Sequence, residues 1–541
     1  MEKNWLWWKH GIIYQIYPRS FKDTNNDGIG DIPGIIEKLD YLKELGIDAI
    51  WISPINVSPM YDFGYDVSDY RKIDPVFGTS NDFDRLISEA KKRGIRMIMD
   101  LVVNHTSHLH PWFIESRSSR NNPKRDWYIW HDGKNGKPPN NWLAAFGGNA
   151  WEWDEKTKQF YYHAFLVEQP DLNWMNPEVR KAVLKEFEYW LDKGIDGFRL
   201  DVVNFFVKDS QFRSNPFGIG PTPRPYDLQK HIYDRNRPEL HDIIKDFKKL
   251  FDTYFERMMV GETYNPPPGD PAFSAEYLGE GDDELHLAFD FSLTYVNSWG
   301  AKIFQKLIKR WYSFIPDKGW PTFVLSNHDQ PRTAGRLGSG PDKYKRAKVI
   351  AAMHLTLKGT PFIYYGEEIG MIDGKLKKEE ICDPLGKKYW PIMVGRDIYR
   401  TPMQWNSDIN AGFSKAKPWL PVNQDFGTIN VETEKIDINS LLNFYKRLIS
   451  LRKMHPAFLR GEWIPVVEGE KNIFAYYRTC EIETVFVLLN FSKLSDELAA
   501  ADSAVWEVIF STHKKIGEQF NGLNFKAESY EVTVFLRLKS C

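Results

Sequence analysis

The stretch FDRLISEAKKRGIRMIMDLVVNH, residues 83–105, combines a helix, a glycine stop and a buried strand. Phe83, Ile87 and Ala90 fall on one helical face, and Gly94 is the residue type that most readily takes the left-handed conformation of a helix end. The run that follows is apolar, as in strands buried on both faces of a parallel sheet. The stretch therefore predicts one unit of a parallel α/β fold.

The same order of helix, glycine and apolar strand occurs at residues 35–54 and 179–203. Five further apolar runs predict strands: GIIYQIYP (11–18), RMMVGET (257–263), HLAFDFS (286–292), PTFVLSNHD (321–329) and TPFIYYGEE (360–368). Helices that alternate with strands at this spacing indicate βαβ units, and eight strands predict a (β/α)₈ TIM barrel. The alternative, an open doubly wound sheet, needs a glycine-rich phosphate turn after its first strand. An acidic loop follows that strand instead.

Two segments interrupt the pattern. Residues 106–174 are rich in Trp, Asn, Gly and Pro without a helical period, which predicts a loop-rich domain inserted after the third strand. Beyond about residue 461, β-branched and aromatic runs alternate with polar turns, which predicts an antiparallel β-sandwich. The predicted division is a barrel at 1–105 and 175–458, an inserted domain at 106–174 and a C-terminal domain at 459–541.

The amino-acid composition indicates which binding partners and which cell compartment to expect. The 541 residues are 42% hydrophobic and 27% charged, and their net charge of −2 gives no reason to expect nucleic acid or an anionic membrane. Cys382, Cys480 and Cys541 are few, distant and odd in number, which argues against a disulfide framework. Neither a secretory signal nor an apolar run of about 18 residues occurs. We therefore expect a cytoplasmic protein, whose oligomeric state the sequence leaves open.

Polar residues follow several of the predicted strands. Because the active sites of such barrels lie at the carboxyl ends of the strands, we expect these side chains to meet at one rim. Buried carboxyl groups are rare unless they are paired or functional, so several strand ends that are all polar favour a site over incidental helix caps. The residues are Asn104, His105, Arg199, Asp201, Glu262, His328 and Asp329.

Two carboxyl groups on either side of a bond are what glycoside hydrolysis requires, one as nucleophile and one as proton donor. Asp201 is two residues from Arg199, whose charge favours an ionised carboxylate. Glu262 follows an apolar run and faces other carboxylates, a setting that favours its protonated form. The residues alone therefore predict Asp201 as nucleophile and Glu262 as acid.

The runs DLVVNH, GFRLDVVNF, VGET and SNHD resemble, in order, the four signature regions of the α-amylase superfamily, glycoside hydrolase family 13. QPDLNW and RTPMQW resemble its α-glucosidase and oligo-1,6-glucosidase branch. The similarity runs from about Tyr14 to Trp419. It implies a catalytic barrel, an inserted domain and a C-terminal β-sandwich.

The resemblance also implies roles for individual residues. Asp201 matches the nucleophile, Glu262 the acid/base and Asp329 a third carboxylate that binds sugar hydroxyl groups. His105 and His328 match ligands of sugar hydroxyl groups, and Tyr65 matches a stacking platform. Asp62 and Arg400 match a pair that closes around a terminal glucose. Phe165 and Gln169 match residues that line the same pocket. The implied substrate is a small oligosaccharide or disaccharide.

A closed pocket accepts a chain end, so we predict an exo-acting retaining α-glucosidase. Val202, directly after the nucleophile, matches relatives that cut α-1,6 linkages, whereas residues 231–240 and 383–403 resemble bacterial α-glucosidases that take maltose or sucrose. Oligo-1,6-glucosidase is therefore the alternative. A transglucosylase or sugar isomerase would share the catalytic residues, although no RLDRD-like stretch follows the sixth strand. A non-enzymatic transporter subunit would need a membrane segment and lost carboxylates, and neither is found.

The run DTNNDGIGD, residues 23–31, offers oxygen atoms at every second position and a glycine for a sharp turn. Oxygen ligands at this spacing are typical of calcium loops, although the bidentate Glu of an EF-hand is absent. A solvated Asn/Asp turn is the alternative. By the resemblance, this loop binds structural Ca²⁺ or Mg²⁺, and no organic cofactor is expected. The predicted ligands are Asp23, Asn25, Asp27, the carbonyl of Ile29, and Asp31.

Overall fold

The computed structural model describes residues 5–338, 340–466 and 472–537. Its centre is a sheet of eight parallel strands, each at a position predicted from the sequence. The strands are β1 Ile13–Ile16, β2 Ala49–Ile52, β3 Arg96–Leu101, β4 Gly197–Leu200, β5 Met258–Gly261, β6 Leu287–Ala288, β7 Thr322–Val324 and β8 Thr360–Tyr364.

Consecutive strands pair from β1 through β6, and β8 pairs with both β7 and β1. The two ends of the sheet, β6 and β7, are bridged by Thr322 Oγ1, which donates to the carbonyl of Ala288 at 2.6 Å. The sheet is therefore a nearly closed barrel. The prediction of a (β/α)₈ fold is confirmed.

Helices alternate with these strands and surround them. Their ends follow from local chemistry: Thr79 and Asp82 form a reciprocal capping box at one helix start, and Gly194 ends another with φ 103°. The principal helices are Ile32–Glu37, Leu39–Leu45, Ser80–Lys92, Pro177–Lys193, Leu240–Phe251, Ala301–Phe314, Lys343–Thr356 and Leu441–Met454. The single helix predicted over residues 35–46 is wrong in one respect, because Lys38 (φ −99°, ψ 3°) divides it in two.

The segment after β3 contains three short antiparallel strands, Trp130–His131, Trp151–Asp154 and Gln159–Tyr162. Its aromatic core includes Val202 and Phe205, which follow β4, so the insertion packs directly beside the nucleophile candidate. The segment also contains the helix Pro111–Ser118, which its sequence did not predict. Only Phe113 and Ser116 of that helix are buried, so it has no apolar stripe.

The C-terminal region is one antiparallel sheet of six strands. Arg478 anchors it to the barrel by donating to the carbonyl of Thr356 at 2.7 Å. The strands are Glu462–Pro465, Ile473–Thr479, Thr484–Asn490, Asp496–Ser511, Gln519–Ala527 and Val532–Arg537. The predicted domain boundaries at residues 105, 174 and 458 stay predictions.

The remaining elements are short, and among the described helices none is both long and apolar enough to cross a membrane. Two further strands pair as a hairpin, Asn56–Val57 and Asp69–Ile73. The short α-helices are Trp7–His10, Pro271–Glu276, Thr333–Leu337, Pro384–Tyr389, Val431–Ile436 and Pro456–Arg460. The 3₁₀ turns are Pro18–Ser20, Arg125–Trp127, Val203–Phe205, Tyr226–Leu228, Gly340–Asp342, Glu367–Ile369, Lys378–Glu380, Asp397–Tyr399 and Ile409–Gly412. Cys382 and Cys480 are free thiols, and Cys541 lies outside the described residues.

Candidate active site

A cavity of about 410 Å³ opens at the carboxyl ends of the barrel strands. Eight of the predicted site residues line it: Asp62, Tyr65, His105, Phe165, Asp201, Val202, Glu262 and Asp329. Four others lie behind its wall: Gln169, Arg199, His328 and Arg400. The prediction that Gln169 lines the cavity is therefore wrong. Its side chain is fully buried, and its amide donates to the carbonyl of Tyr65 at 3.1 Å.

Arg199 contacts three carboxyl groups at once. Its Nη1 donates to Asp100 at 2.8 Å and to Asp201 at 2.7 Å, and its Nη2 donates to Glu262 at 2.5 Å. The side chain is buried, and the three carboxyl groups come from β3, the end of β4 and the end of β5. One guanidinium therefore holds both predicted catalytic groups, rather than the nucleophile alone.

The pKa values of Asp201 and Glu262 follow from this arrangement. Burial raises the pKa of each carboxyl group to about 7, and the attraction of Arg199 offsets only part of that effect. Arg199 lowers the pKa of both groups, so the guanidinium favours the ionised form of Glu262 as well as that of Asp201. The prediction that Asp201 is the ionised partner stays a prediction. The charge of Asp201 further raises the pKa of Glu262, and the charge of Asp100 further raises that of Asp201.

Hydrogen bonds identify the oxygen of Glu262 that carries a proton. Oε2 accepts from Arg199 and from the backbone N–H of Val202, the latter at 3.1 Å. An oxygen that accepts two such bonds stays unprotonated, so the proton of the acid form resides on Oε1. The backbone of Val202 has φ 36° and ψ 49°, which points its N–H at Glu262 Oε2. This left-handed conformation costs a β-branched residue about 1–3 kcal/mol.

Asp329 contacts two arginines and a histidine, whereas Asp201 and Glu262 share one arginine. Burial opposes its charge, but contacts with His328 at 3.0 Å, Arg396 at 3.3 Å and Arg400 at 2.7 Å outweigh burial. The pKa of Asp329 therefore lies well below its usual range. An ionised carboxylate at this position is suited to accept hydrogen bonds from sugar hydroxyl groups.

The predicted pair of Asp62 and Arg400 is wrong. Asp62 bonds Arg396 Nη2 at 2.6 Å, whereas Arg400 bonds Asp329 and the carbonyl of His328. Arg396 and Arg400 lie on either side of the 3₁₀ turn Asp397–Tyr399, so each meets a different carboxylate. Arg396 is itself fixed by Asp383 at 2.7 Å. The sequence contains both arginines four residues apart, and nothing in their spacing tells which one reaches Asp62.

The two predicted histidines differ in position. Burial lowers the pKa of both, that of His328 to about 4, so both are neutral at pH 7. His328 lies between the Gln15 amide at 2.8 Å and the Tyr65 hydroxyl at 2.7 Å, and the rings of Tyr65 and His328 are nearly parallel with their centroids 5.5 Å apart. His105 lines the cavity and contacts the carbonyl of Tyr65 at 2.8 Å.

Asn104, the other polar residue after β3, contacts an ammonium group rather than the cavity. Lys208 donates to Asn104 at 3.1 Å and to Asp171 at 2.5 Å, and all three side chains are buried. Asp171 belongs to the inserted segment, and Lys208 follows β4. This ion pair fastens the insertion to the barrel beside the site.

Sequence reasoning missed much of the cavity lining. Most of these residues lie on connecting segments that have no hydrophobic period, so no pattern marks them. They include Phe146, Arg224, Tyr264, Phe291, Tyr295, Gln330, Met393, Arg396 and Tyr399. None of these nine side chains has a carboxyl group, in contrast to Asp201, Glu262 and Asp329 at the strand ends.

The predicted cation loop is closed by its own hydrogen bonds. Asp23 accepts from the backbone of Asn26 at 2.7 Å and of Gly28 at 2.9 Å, and Gly28 has φ 88°. Asp31 caps the helix Ile32–Glu37 by accepting from Gly34 at 2.6 Å. Across residues 5–338, 340–466 and 472–537, no three or more His, Cys, Asp or Glu side chains are grouped to hold a metal ion. The loop could therefore hold a cation only with its amide and carbonyl oxygens among the ligands.

Two carboxyl groups bonded to one arginine at the mouth of a parallel barrel are suited to glycoside hydrolysis. The family model described as "Alpha amylase, catalytic domain" matches residues 15–461. The chain therefore belongs to the alpha-amylase family and is a glycoside hydrolase.

Individual relatives are similar over nearly the whole chain. A probable alpha-glucosidase of Rhizobium meliloti is 44% identical, with 92% of this chain and 91% of the relative covered. An oligo-1,6-glucosidase of Parageobacillus thermoglucosidasius is 42% identical, with 93% of each chain covered. Among solved structures, an alpha-glucosyl transfer enzyme is 39% identical with a TM-score of 0.92, covering 99% of this chain and 100% of that one. An isomaltulose synthase of Erwinia rhapontici is 36% identical, with a TM-score of 0.90 over 98% and 99% of the two chains.

Proposed function

We propose that the protein is an exo-acting, retaining α-glucosidase that releases glucose from the non-reducing end of short α-glucosides. The observation that carries this proposal is the closed end of the cavity. There Asp62, Arg396 and Asp329 are joined by contacts of 2.6 and 3.3 Å. A chain cannot pass through a wall of bonded charges, so the cavity suits a terminal sugar unit.

The proposed reaction has two displacements. In the first, a carboxylate oxygen of Asp201 attacks the anomeric carbon, while Glu262 Oε1 gives its proton to the departing oxygen. In the second, Glu262 takes a proton from water as the water attacks the same carbon and releases Asp201. The required starting state has Glu262 protonated and Asp201 ionised. Support for this assignment comes from the hydrogen bonds of Arg199 and Val202 to Oε2, which leave Oε1 as the acid.

Asp329 and His105 are proposed to bind hydroxyl groups of the terminal glucose. Asp329 is an ionised acceptor, and its charge balances positive charge that develops on the sugar in the transition state. His105 lines the cavity with a neutral ring. Arg400 and His328 are proposed to act from behind the wall, because their contacts fix Asp329 in place.

The linkage is proposed to include α-1,4 bonds, with α-1,6 specificity as the alternative. Val202 lines the cavity and favours the alternative. A difference of one methyl group contributes only about 1–3 kcal/mol to discrimination between substrates. A relative named probable alpha-glucosidase and one named oligo-1,6-glucosidase have similar sequence identity to this chain. A transglucosylase or sugar isomerase is a second candidate, favoured by the structural relatives that transfer or isomerise sugars.

A substrate panel tests these proposals. The purified protein is given maltose, isomaltose, sucrose, trehalose and starch in turn, and free glucose, transfer products and isomers are quantified. We expect glucose from the disaccharides and little from starch. Glucose from isomaltose alone would establish the alternative, and isomaltulose from sucrose would establish an isomerase. Rapid fall of starch viscosity would contradict exo action.

We also propose that the loop at residues 23–31 binds Ca²⁺ or Mg²⁺. Support comes from its oxygen-bearing side chains and the sharp turn at Gly28. The cation would fix the loop after β1 and take no part in the chemistry. The Tm of wild type should be higher with excess calcium than with EDTA. The Tm of the double variant Asp27→Asn, Asn25→Ala should be the same in both conditions. A Tm that is the same with calcium and with EDTA would contradict this.

A reducing, cytoplasmic location is proposed from the free thiols of Cys382 and Cys480. Fractionation of the native host with an antibody to the protein tests it. Recovery with secreted proteins would contradict it.

A further inference from the structure

Gln15 is a buried polar side chain of β1 that the proposed reaction does not use. It is 2% exposed and does not line the cavity. Its amide nitrogen lies 2.8 Å from His328 Nδ1 and donates to Ser53 Oγ at 3.3 Å. A buried amide costs free energy unless its hydrogen bonds are made, so these two contacts account for a glutamine at this position.

Asp329 decides which nitrogen of His328 carries the ring proton. His328 Nε2 lies 3.0 Å from Asp329 Oδ2, and an ionised carboxylate can only accept a hydrogen bond. Burial lowers the pKa of His328 to about 4, so at neutral pH the ring has a single N–H. That N–H is therefore on Nε2, and Nδ1 is left as an acceptor. The Gln15 amide supplies the donor that Nδ1 needs.

A chain of hydrogen bonds continues from Nε2 toward the nucleophile. The Tyr65 hydroxyl lies 2.7 Å from Nε2 and donates to Asp100 Oδ2 at 3.0 Å. The other oxygen of Asp100 accepts from Arg199 at 2.8 Å, and Arg199 also donates to Asp201 at 2.7 Å. Each donor meets an acceptor, so one arrangement of protons satisfies the chain from Gln15 to Asp100.

We propose that Gln15 is a positioning residue of the active site. Its amide N–H holds His328 Nδ1, so that the ring proton on Nε2 faces Asp329 and Tyr65. The inference rests on the proposed glucosidase function, in which Asp329 binds hydroxyl groups of the terminal glucose. His328 contacts one oxygen of Asp329 and Arg400 contacts the other, so the carboxylate cannot rotate freely. Gln15 therefore assists the reaction without touching the sugar.

Gln15→Met removes the amide donor at similar size. Nδ1 then has no partner, and the ring that holds Asp329 loosens. We expect kcat for p-nitrophenyl α-glucoside to fall about tenfold at every pH, the effect of one lost hydrogen bond. KM should change less than kcat, because the contact with Asp329 matters most in the transition state. Nitrophenol release measures both constants.

Gln15→Glu makes the role of the donor depend on pH. At acid pH the introduced carboxyl group donates its O–H to His328 Nδ1 or passes the proton to it, and Nε2 keeps its own proton in both cases. As pH rises, the pair loses that proton, and the resulting carboxylate draws the remaining ring proton to Nδ1. Nε2 then faces Asp329 without a proton. The ratio of kcat to that of wild type should therefore fall about tenfold between about pH 5 and about pH 9.

Gln404→Glu is the matched control. Gln404 is also a fully buried glutamine, but its amide contacts Asp425 and the carbonyl of Ile429, and it does not line the cavity. The control places a buried carboxyl group away from His328, so its kcat ratio should not change with pH. All three variants keep the charged and titratable groups around His328, which are Asp329, Arg199, Arg400, Tyr17 and Tyr65.

A measurement on wild type alone decides the case in which the Gln15 variants fail to fold. Neutron diffraction from a crystal exchanged into D₂O shows deuterium atoms directly. We expect deuterium on His328 Nε2, none on Nδ1, and the nitrogen of the Gln15 amide facing Nδ1. Deuterium on Nδ1 would overturn the inference.

The kinetic outcomes are equally decisive. A Gln15→Met variant with the kcat of wild type overturns the inference, and so does a kcat ratio of Gln15→Glu that is the same at both pH values. Loss of Tm in these variants without the change in pH profile indicates a structural role only. If wild type releases no nitrophenol, the proposed function fails and the inference with it, an outcome distinct from the others.

Discussion

The two ends of the cavity are built from different kinds of contact. At the glucose end, Asp62, Asp329 and Asp383 are bonded to Arg396, and Arg400 holds Asp329 from a second side. At the outer end, the cavity is lined by Arg224, which is paired with Asp227, and by aromatic residues that include Phe205 and Tyr264. Fixed charges define one hydroxyl pattern, whereas flat rings accept several. The enzyme should therefore be strict toward the glucose it removes and tolerant of what that glucose was attached to.

Asp201→Asn tests the chemical step that both ends serve. The amide cannot act as the nucleophile, so no ester forms, and kcat should fall on the order of 10⁴-fold or more. Nitrophenol release from p-nitrophenyl α-glucoside measures kcat. Asp317→Asn, an exposed substitution remote from the cavity, should retain wild-type kcat. Turnover by Asp201→Asn within tenfold of wild type would refute the assigned nucleophile.

Arg396→Ala opens the charged end. It leaves Asp62 and Asp383 buried without their guanidinium, so we expect unfolding free energy to fall by about 3–5 kcal/mol and kcat/KM on maltose by about 100-fold. The preference for maltose over maltopentaose should also weaken, because a longer chain can enter. Denaturant unfolding and saccharide kinetics measure these effects.

Arg400→Ala is the comparison for that variant. It removes a contact of Asp329 and leaves the bond between Asp62 and Arg396 in place. Maltose activity should fall, but the preference for short chains should persist. If only Arg400→Ala lost that preference, Arg400 would be the residue that closes the pocket.

Val202→Thr tests whether the residue between the two ends of the cavity sets the linkage preference. The side chain lines the cavity beside the leaving oxygen, and threonine exchanges a methyl for a hydroxyl group at nearly constant volume. We expect the ratio of kcat/KM for maltose to that for isomaltose to rise about tenfold. A ratio within twofold of wild type would assign linkage choice to the outer segments instead.

The smallest predicted effect is on stability. Burial raises the folded-state pKa of Asp201 from its usual 3.8 to about 7. The folded state therefore binds this proton more tightly than the unfolded state, and the carboxyl group costs stability as pH rises from about 4 to 7. Asp201→Asn removes that cost, so its Tm should exceed that of wild type by a few degrees more at pH 8 than at pH 4.5. Equal differences at the two pH values would contradict the raised pKa.

Sequence predicted the barrel and its catalytic rim because both follow from short-range rules. Glycine-ended helices and apolar strands mark each unit, and parallel strands bring Asp201, Glu262 and Asp329 to the same edge. The order of strands in the sheet then needed no further information.

Pairings between connecting segments could not be predicted in the same way. Arg396 and Arg400 are chemically alike and four residues apart, and the turn between them decides which one meets Asp62. Arg224 approaches Ala145 across 79 residues of chain without any repeating pattern. The sharing of Arg199 by three acids also escaped prediction, because neighbours in space from three strands decide it rather than the residue two positions away.

The acids around Arg199 and Arg396 have a further consequence for what the cavity attracts. Six carboxyl groups, those of Asp62, Asp100, Asp201, Glu262, Asp329 and Asp383, are bonded to only three guanidinium groups, those of Arg199, Arg396 and Arg400. The walls remain net negative even when a proton or two are held. Protonated amines of sugar size should therefore inhibit the enzyme more strongly than neutral sugars of the same shape, and amine buffers are a poor choice for its assays.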